Sequence, residues 1–358
     1  MTLLSREQCS AMRGLAIVGI FMHNYLHWLG PMVKENEYQF IQHNVDRMMV
    51  EFLNLQPSTF ILQLFSFFGH YGVPVFLFLS GYGLVKKYEN PLQPMLEGMD
   101  CRVKTRNFLW KHYMKLFPMM LLGFVVFAMV DWITPGHHHW TWVDIITQLT
   151  MTINVLPDPD HIIWPGPYWF FGLMMQLYLI YILVLHRRHW GWTVGLIVVC
   201  TVLQALCFTD PEGDTLNRLR YNCIGGMLPF GLGVLIARYE GIMPKYNNAT
   251  HLLAIIISLV LIVFLSTNFW GWLFVPVFIT TLHVTLVRIL PKATLKPLVW
   301  MGALSAAIFV AHPVTRKIFI PISRQGDILD GLVLYIVTTI LLAMLFRVAI
   351  RELKKIEN

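Results

Sequence analysis

The feature that most constrains this chain is the recurrence, from end to end, of apolar runs about twenty residues long. That is the length an α-helix needs to cross the hydrocarbon core of a bilayer. Ten such runs are read, at roughly 11–30, 71–87, 114–132, 167–186, 193–209, 222–238, 251–267, 269–288, 299–318 and 329–348. Strands of a membrane barrel would be shorter and would alternate apolar with polar residues, and no such alternation is present. Composition agrees: of 358 residues, 56% are hydrophobic and 13% charged, with a mean hydropathy of +0.58. A soluble domain carries about 25% charge. The expected fold class is all-α, a polytopic transmembrane helical bundle of about ten spans forming one domain over 1–358. A short apolar run at 60–68 and an amphipathic stretch at 142–156 are read as candidate re-entrant segments.

Orientation follows from the loops. With the N-terminus inside, the inner segments collect Arg6, Arg13, Lys86, Lys87, Arg102, Lys104, Arg106, Lys111 and Lys115, and later Arg187, Arg188, Arg238, Lys245, Arg288, Lys292 and Lys296. The C-terminal tail adds Arg347, Arg351, Lys354 and Lys355. Most of the 27 lysines and arginines then lie inside, as the positive-inside rule requires, with both termini cytoplasmic. Arg316, Lys317 and Arg324 break the pattern, being basic in a loop predicted outside. The net charge of +7 is accordingly a topological signal and no nucleic-acid footprint. Arg6 and Arg13 flank a first run too long for the apolar region of a signal peptide, so that run is read as a retained span.

Five cysteines, at 9, 101, 200, 207 and 223, form no CxxC pair and suggest neither a metal set nor a disulfide framework. The run His137–His139 lies in a loop without carboxylate or cysteine spacing, and no metal site is expected there. The absence of an internal repeat counts against a secondary transporter.

The first run stands out. It begins at Arg13 and carries His23 and His27, four positions apart and so on one helix face. Ionisable residues inside a membrane span are costly and mark function.

These residues resemble the first helix of the membrane-bound acyltransferase family 3, integral and mostly bacterial enzymes that move acyl groups onto carbohydrates and related acceptors. Four further segments match in order. Gly72–Tyr82 is similar to the family's aromatic segment ending in Ser-Gly-aromatic, and Phe108–Pro118 to its basic segment entering the next span. Pro167–Tyr178 resembles its tryptophan-aromatic segment, and Leu298–Pro313, with Gly302, Ser305 and His312, its late helix. Two departures are visible. Nine residues separate Arg13 from His23 where the family usually has ten, and one residue turns a helix by about 100°. Gln176 stands near where the family often carries glutamate, and an amide can bind but cannot act as a base.

The resemblance implies transfer of an acyl group, acetyl in the first instance, from acyl-CoA to a hydroxyl of a cell-surface carbohydrate or its lipid-linked precursor. No cofactor is needed beyond the donor substrate. Histidine titrates near neutrality, which suits His23 as general base, with His27 as its rival. Arg13 would lie about 15 Å along the helix from His23 and hold donor phosphates with Lys111 and Lys115. Trp169, Gln176 and His312 are the further candidates for substrate binding. Ser80-Gly81-Tyr82 reads as close helix packing before it reads as a nucleophile. The implied setting is the bacterial inner membrane. Two other readings stay open: a transporter of a lipid-linked glycan, or a polyprenyl-linked glycan polymerase or transferase.

Overall fold

The computed structural model describes residues 3–54, 56, 59–89, 101–242, 244 and 246–356. Residues 90–100 of the expected inner loop, and Lys245, lie outside the described residues, as do the side chains of Arg102 and Lys354. Among the described residues there is no strand.

The helices are α1 (Arg6–Leu26), α2 (Gln42–Asn54), α3 (Phe60–Phe68), α4 (Gly72–Tyr88), α5 (Cys101–Ile133), α6 (Trp142–Leu149), α7 (Pro159–Ile162) and α8 (Trp169–Ile180). They continue as α9 (Trp190–Ala205), α10 (Asp214–Tyr221), α11 (Cys223–Tyr239), α12 (Asn248–Leu265), α13 (Phe269–Trp272), α14 (Val275–Ile289), α15 (Lys292–Arg324) and α16 (Ile328–Ile356). Among the described residues, seven helices are long and apolar enough to cross a membrane, and an eighth if α10 and α11, bent by 43°, form one broken span. The chain is therefore an all-helical, multi-pass membrane protein.

The ten apolar runs are all helical, but they are not ten equal spans. The run at 60–68 is no separate re-entrant element. A single turn, Gly69–Tyr71, joins α3 to α4, giving one helix of 29 residues from Phe60 to Tyr88. The stretch 142–156 gives α6, eight residues long and capped by Thr141 and Asp144, and a single helical turn at Ile153–Val155, both too short to cross. The run at 269–288 is divided into α13 and the short apolar α14.

α1 is less apolar than the spans around it because it packs against α3, α4, α14 and α15 rather than against lipid. Its start is fixed by a capping box, in which the Ser5 hydroxyl accepts from the Gln8 N–H and the Gln8 side chain accepts from the Ser5 N–H. The α1–α15 contact is made by small residues. A Cβ on Gly14 would overlap the Leu298 carbonyl, and one on Gly302 would overlap the Ser10 carbonyl. The backbones meet there because neither residue has a side chain. Gly81 of α4 and Gly233 of α11 play the same part across the α4–α11 crossing, which supports the packing reading of Ser80-Gly81-Tyr82.

The exceptional basic residues at 316–324 belong to the end of α15. Arg316 is 7% exposed and turned into the bundle. Lys317 donates to Asp131 at 2.9 Å. Neither is a free loop charge, which is why a count of loop charges misjudges this segment.

Candidate active site

The last turn of α1 carries the polar centre of the molecule. His23 is 1% exposed, and its Nδ1 lies 2.7 Å from the Ser66 carbonyl oxygen of α3. A carbonyl can only accept, so Nδ1 carries the proton and the neutral ring presents its Nε2 lone pair. His27 Nδ1 lies 2.9 Å from that Nε2. Glu35 completes the group, its Oε2 3.3 Å from His27 Nδ1 and its Oε1 3.7 Å from His23 Nε2. Gly69 lets α3 approach this closely: a Cβ there would stand 2.7 Å from His23 Cβ.

Glu35 sits in the connection between α1 and α2, a segment tied down from several sides. The Val33 N–H donates to Gln63 Oε1 at 2.8 Å, and Ser66 Oγ donates to the Val33 carbonyl at 2.6 Å. Asn44 Nδ2 donates to the Glu35 carbonyl at 2.9 Å, and the Trp272 indole to the Asn36 carbonyl at 2.8 Å. The carboxylate is thus held by a backbone whose own polar groups are satisfied.

Two cavities lie along α1, and His27 and Glu35 of this group line the first of them. One, about 290 Å³, is lined by His27, Glu35, Asn24 and Arg316, by Glu37 and Asp160, and by the rings of Trp28, Tyr38, Trp164, Trp169 and Tyr221. The other, about 370 Å³, is lined by Arg13, Ser80 and Lys115 at its basic side and by Phe76, Met119, Phe171, Met174 and Tyr178. Ile20, Val73, Phe170 and Phe309 line both, so these four side chains form a shared collar. Ile20 lies one helical turn before His23 and Asn24.

Arg316 Nη1 donates to the Asn24 carbonyl at 3.1 Å, and its guanidinium lies 5.4 Å from the Trp28 ring centre. Asp160 accepts from Tyr221 Oη and from Asn217 Nδ2, each at 2.7 Å. Tyr38 stacks on Tyr221 with ring centres 3.9 Å apart. Glu37 faces this cavity from the α1–α2 connection, and burial pushes its carboxyl up to about 8, with the neighbouring Glu35 adding to the shift.

The residues expected from sequence separate into groups. His23 and His27 are brought together, although His27 alone of the two lines a cavity. Arg13 and Lys115 share the other cavity; Lys111 is exposed and lines neither. Trp169 lines the histidine cavity. Gln176 is bonded elsewhere, donating to Asn222 Oδ1 at 2.6 Å and accepting from the Cys223 N–H at 2.8 Å, so it ties α8 to the break between α10 and α11. His312 is fully buried beside the collar residue Phe309, with Nδ1 3.2 Å from the Ile308 carbonyl and Nε2 without a partner. Of the 137–139 histidines, His137 and His139 have ring centres 5.2 Å apart, whereas the His138 N–H donates to Asp131 and its ring stacks on Trp164.

Glu35, Ser66, His70 and Arg316 are additions that sequence reasoning did not supply. His70 lies with its ring centre 5.5 Å from that of His23, 3% exposed, with neither nitrogen hydrogen-bonded. Arg316 gave the one available signal, as a basic residue that fitted no inner loop.

The structure is a polytopic helical bundle with a buried histidine pair, one member of which lines a cavity inside the bundle. The model of an acyltransferase domain, that of acyltransferase family 3, matches residues 9–348, and the chain belongs to that family. No curated protein and no solved structure matches it.

Proposed function

We propose that the protein transfers an acyl group, acetyl in the first instance, from acyl-CoA to a hydroxyl of a carbohydrate or its lipid-linked precursor in the bacterial inner membrane. The observation that carries this reading is the pair of cavities meeting at one collar beside the histidines. One side has the cations that suit a polyanionic donor. The other has the rings, carboxylates and amide that suit a polyhydroxylated acceptor. With both termini cytoplasmic, Arg13 would stand toward the inner face and the acceptor would enter from the outer side.

The chemistry then divides between His23 and His27. His27 donates Nδ1–H to His23 Nε2 and offers its own Nε2 to the acceptor hydroxyl. As the hydroxyl oxygen attacks the thioester carbon, its proton passes to His27. The His27 Nδ1 proton can shift to His23 Nε2, leaving positive charge opposite Glu35 and against the Ser66 carbonyl. Arg316 supports the developing oxyanion. When the carbon–sulfur bond breaks, the proton returns to the departing thiolate, and the pair is neutral again. His23 keeps its role as base in this scheme, but through His27.

The test is transfer of labelled acetyl from acetyl-CoA in membranes containing the wild type, His23→Ala, His27→Ala or Arg13→Ala at matched abundance. Label is expected in glycan with the wild type and in neither histidine variant. Undiminished transfer by His27→Ala would refute the relay. No transfer from any acyl donor, together with an altered surface glycan on deletion of the gene, would favour the transporter reading.

A further inference from the structure

Among the described residues, His23, His27 and Glu35 are the group of three whose ligand atoms all lie within 4.8 Å of one another. His23 Nε2 and His27 Nδ1 are 2.9 Å apart, and the two Glu35 oxygens lie one 3.3 Å from His27 Nδ1 and the other 3.7 Å from His23 Nε2, close to the edge of a zinc tetrahedron, which is about 3.3 Å for bonds of about 2.05 Å. Two histidines four apart on a helix, plus a carboxylate, is a set of zinc-binding type. The outer shell is also in place. The His23 Nδ1–H bond to the Ser66 carbonyl is the bond that metal-ligating histidines usually make, and it aims Nε2 at the centre of the group. His27 and Glu35 line the histidine cavity, which gives an ion a way in and a fourth ligand room to bind. Cysteine spacing and the 137–139 histidines pointed to no such set, because Glu35 reaches the helix pair only through the folded α1–α2 connection.

We infer that His23 Nε2, His27 Nδ1 and Glu35 form a Zn²⁺ site whose occupancy blocks acyl transfer. Binding requires His27 to move its proton from Nδ1 to Nε2, so that both lone pairs meet the ion. That tautomer leaves His27 Nε2 protonated and unable to take the hydroxyl proton, and the ion occupies the His23 Nε2 lone pair that receives the relayed proton, so metal and catalysis exclude each other. Arg316 lines the same cavity, and its charge favours an anion, such as hydroxide or chloride, as the fourth ligand. The site itself stands on geometry; the inhibition rests on the acyl-transfer reading.

The experiment uses the full chain, purified in detergent with a histidine-free tag, stripped with chelator, exposed to ZnCl₂ and desalted. Wild type is expected to retain a single zinc. Glu35→Ala and His27→Ala should lose it, and His139→Ala should keep it. X-ray absorption on the wild type should show only nitrogen and oxygen around the metal, with two imidazoles, and this arm needs no variant to fold. Sulfur in that shell, or unchanged zinc content in Glu35→Ala and His27→Ala, would overturn the site. Zinc should abolish transfer of labelled acetyl in the wild type and chelator should restore it; zinc bound with transfer undiminished would overturn the exclusion. If no donor supports transfer, the functional reading fails, whereas zinc content and the absorption spectrum still decide the site.

Discussion

Replacing Glu35 by glutamine isolates what its charge contributes. The substitution preserves shape and leaves a hydrogen-bonding group opposite the histidines, but removes the carboxylate that faces them at 3.3 and 3.7 Å. At an effective dielectric constant of about 20, a unit charge at that range stabilises a transient imidazolium by about 5 kcal/mol. The glutamate side chain is 16% exposed, so little of this is lost to solvent, although the positive charge is incomplete in the transition state. Half to most of the Coulomb figure corresponds to a fall in kcat of about 10² to 10³-fold. The assay is labelled acetyl transfer in membranes, normalised to the amount of folded protein and run at saturating donor. Glu35→Asp, which restores charge on a shorter arm, should recover part of the loss. A Glu35→Gln protein of normal abundance that keeps activity within about threefold of wild type, a loss below 1 kcal/mol, would refute the carboxylate's role in the relay.

Three other outcomes follow from the same structure. Arg13→Ala and Lys115→Ala should raise KM for the donor while leaving kcat nearly intact, because both line the far cavity and remove binding common to ground and transition state; donor-saturation curves check this. Gly302→Val should force α15 off the Ser10 carbonyl of α1, costing about 1–3 kcal/mol, and Gly83→Val, with open space around it, should not; thermal unfolding in detergent distinguishes them. Glu37 has its carboxyl raised from 4.5 to about 8, so the neutral form is the one the fold prefers. The stability it contributes is complete below pH 4.5, falls as pH rises, and is gone once pH passes about 8. Glu37→Gln should flatten the pH dependence of the melting temperature across that window, and an unchanged slope would show that the carboxyl is already ionised.

The lengths of the apolar runs determine most of the architecture, because a backbone in hydrocarbon must satisfy its own polar groups and the helix does so locally. For the same reason the sequence alone puts His23 and His27 on one face and Arg13 a fixed distance below them: helix geometry converts spacing into position without reference to any other segment. What lies across from a helix is not periodic and is not written locally. Glu35 meets the histidines because Gln63, Ser66, Asn44 and Trp272, from three other elements, fix the backbone beside it. Arg316 reads as a misplaced loop charge until α15 turns it toward Asn24. Gln176 looks like a site residue until Asn222 and Cys223 are found to use both ends of its amide. The sequence thus determined a multi-pass helical protein of acyltransferase family 3 with a histidine pair inside it. Only tertiary structure decided which carboxylate faces that pair, which histidine reaches a cavity, and where the two cavities meet, since each depends on contacts between residues far apart in the chain.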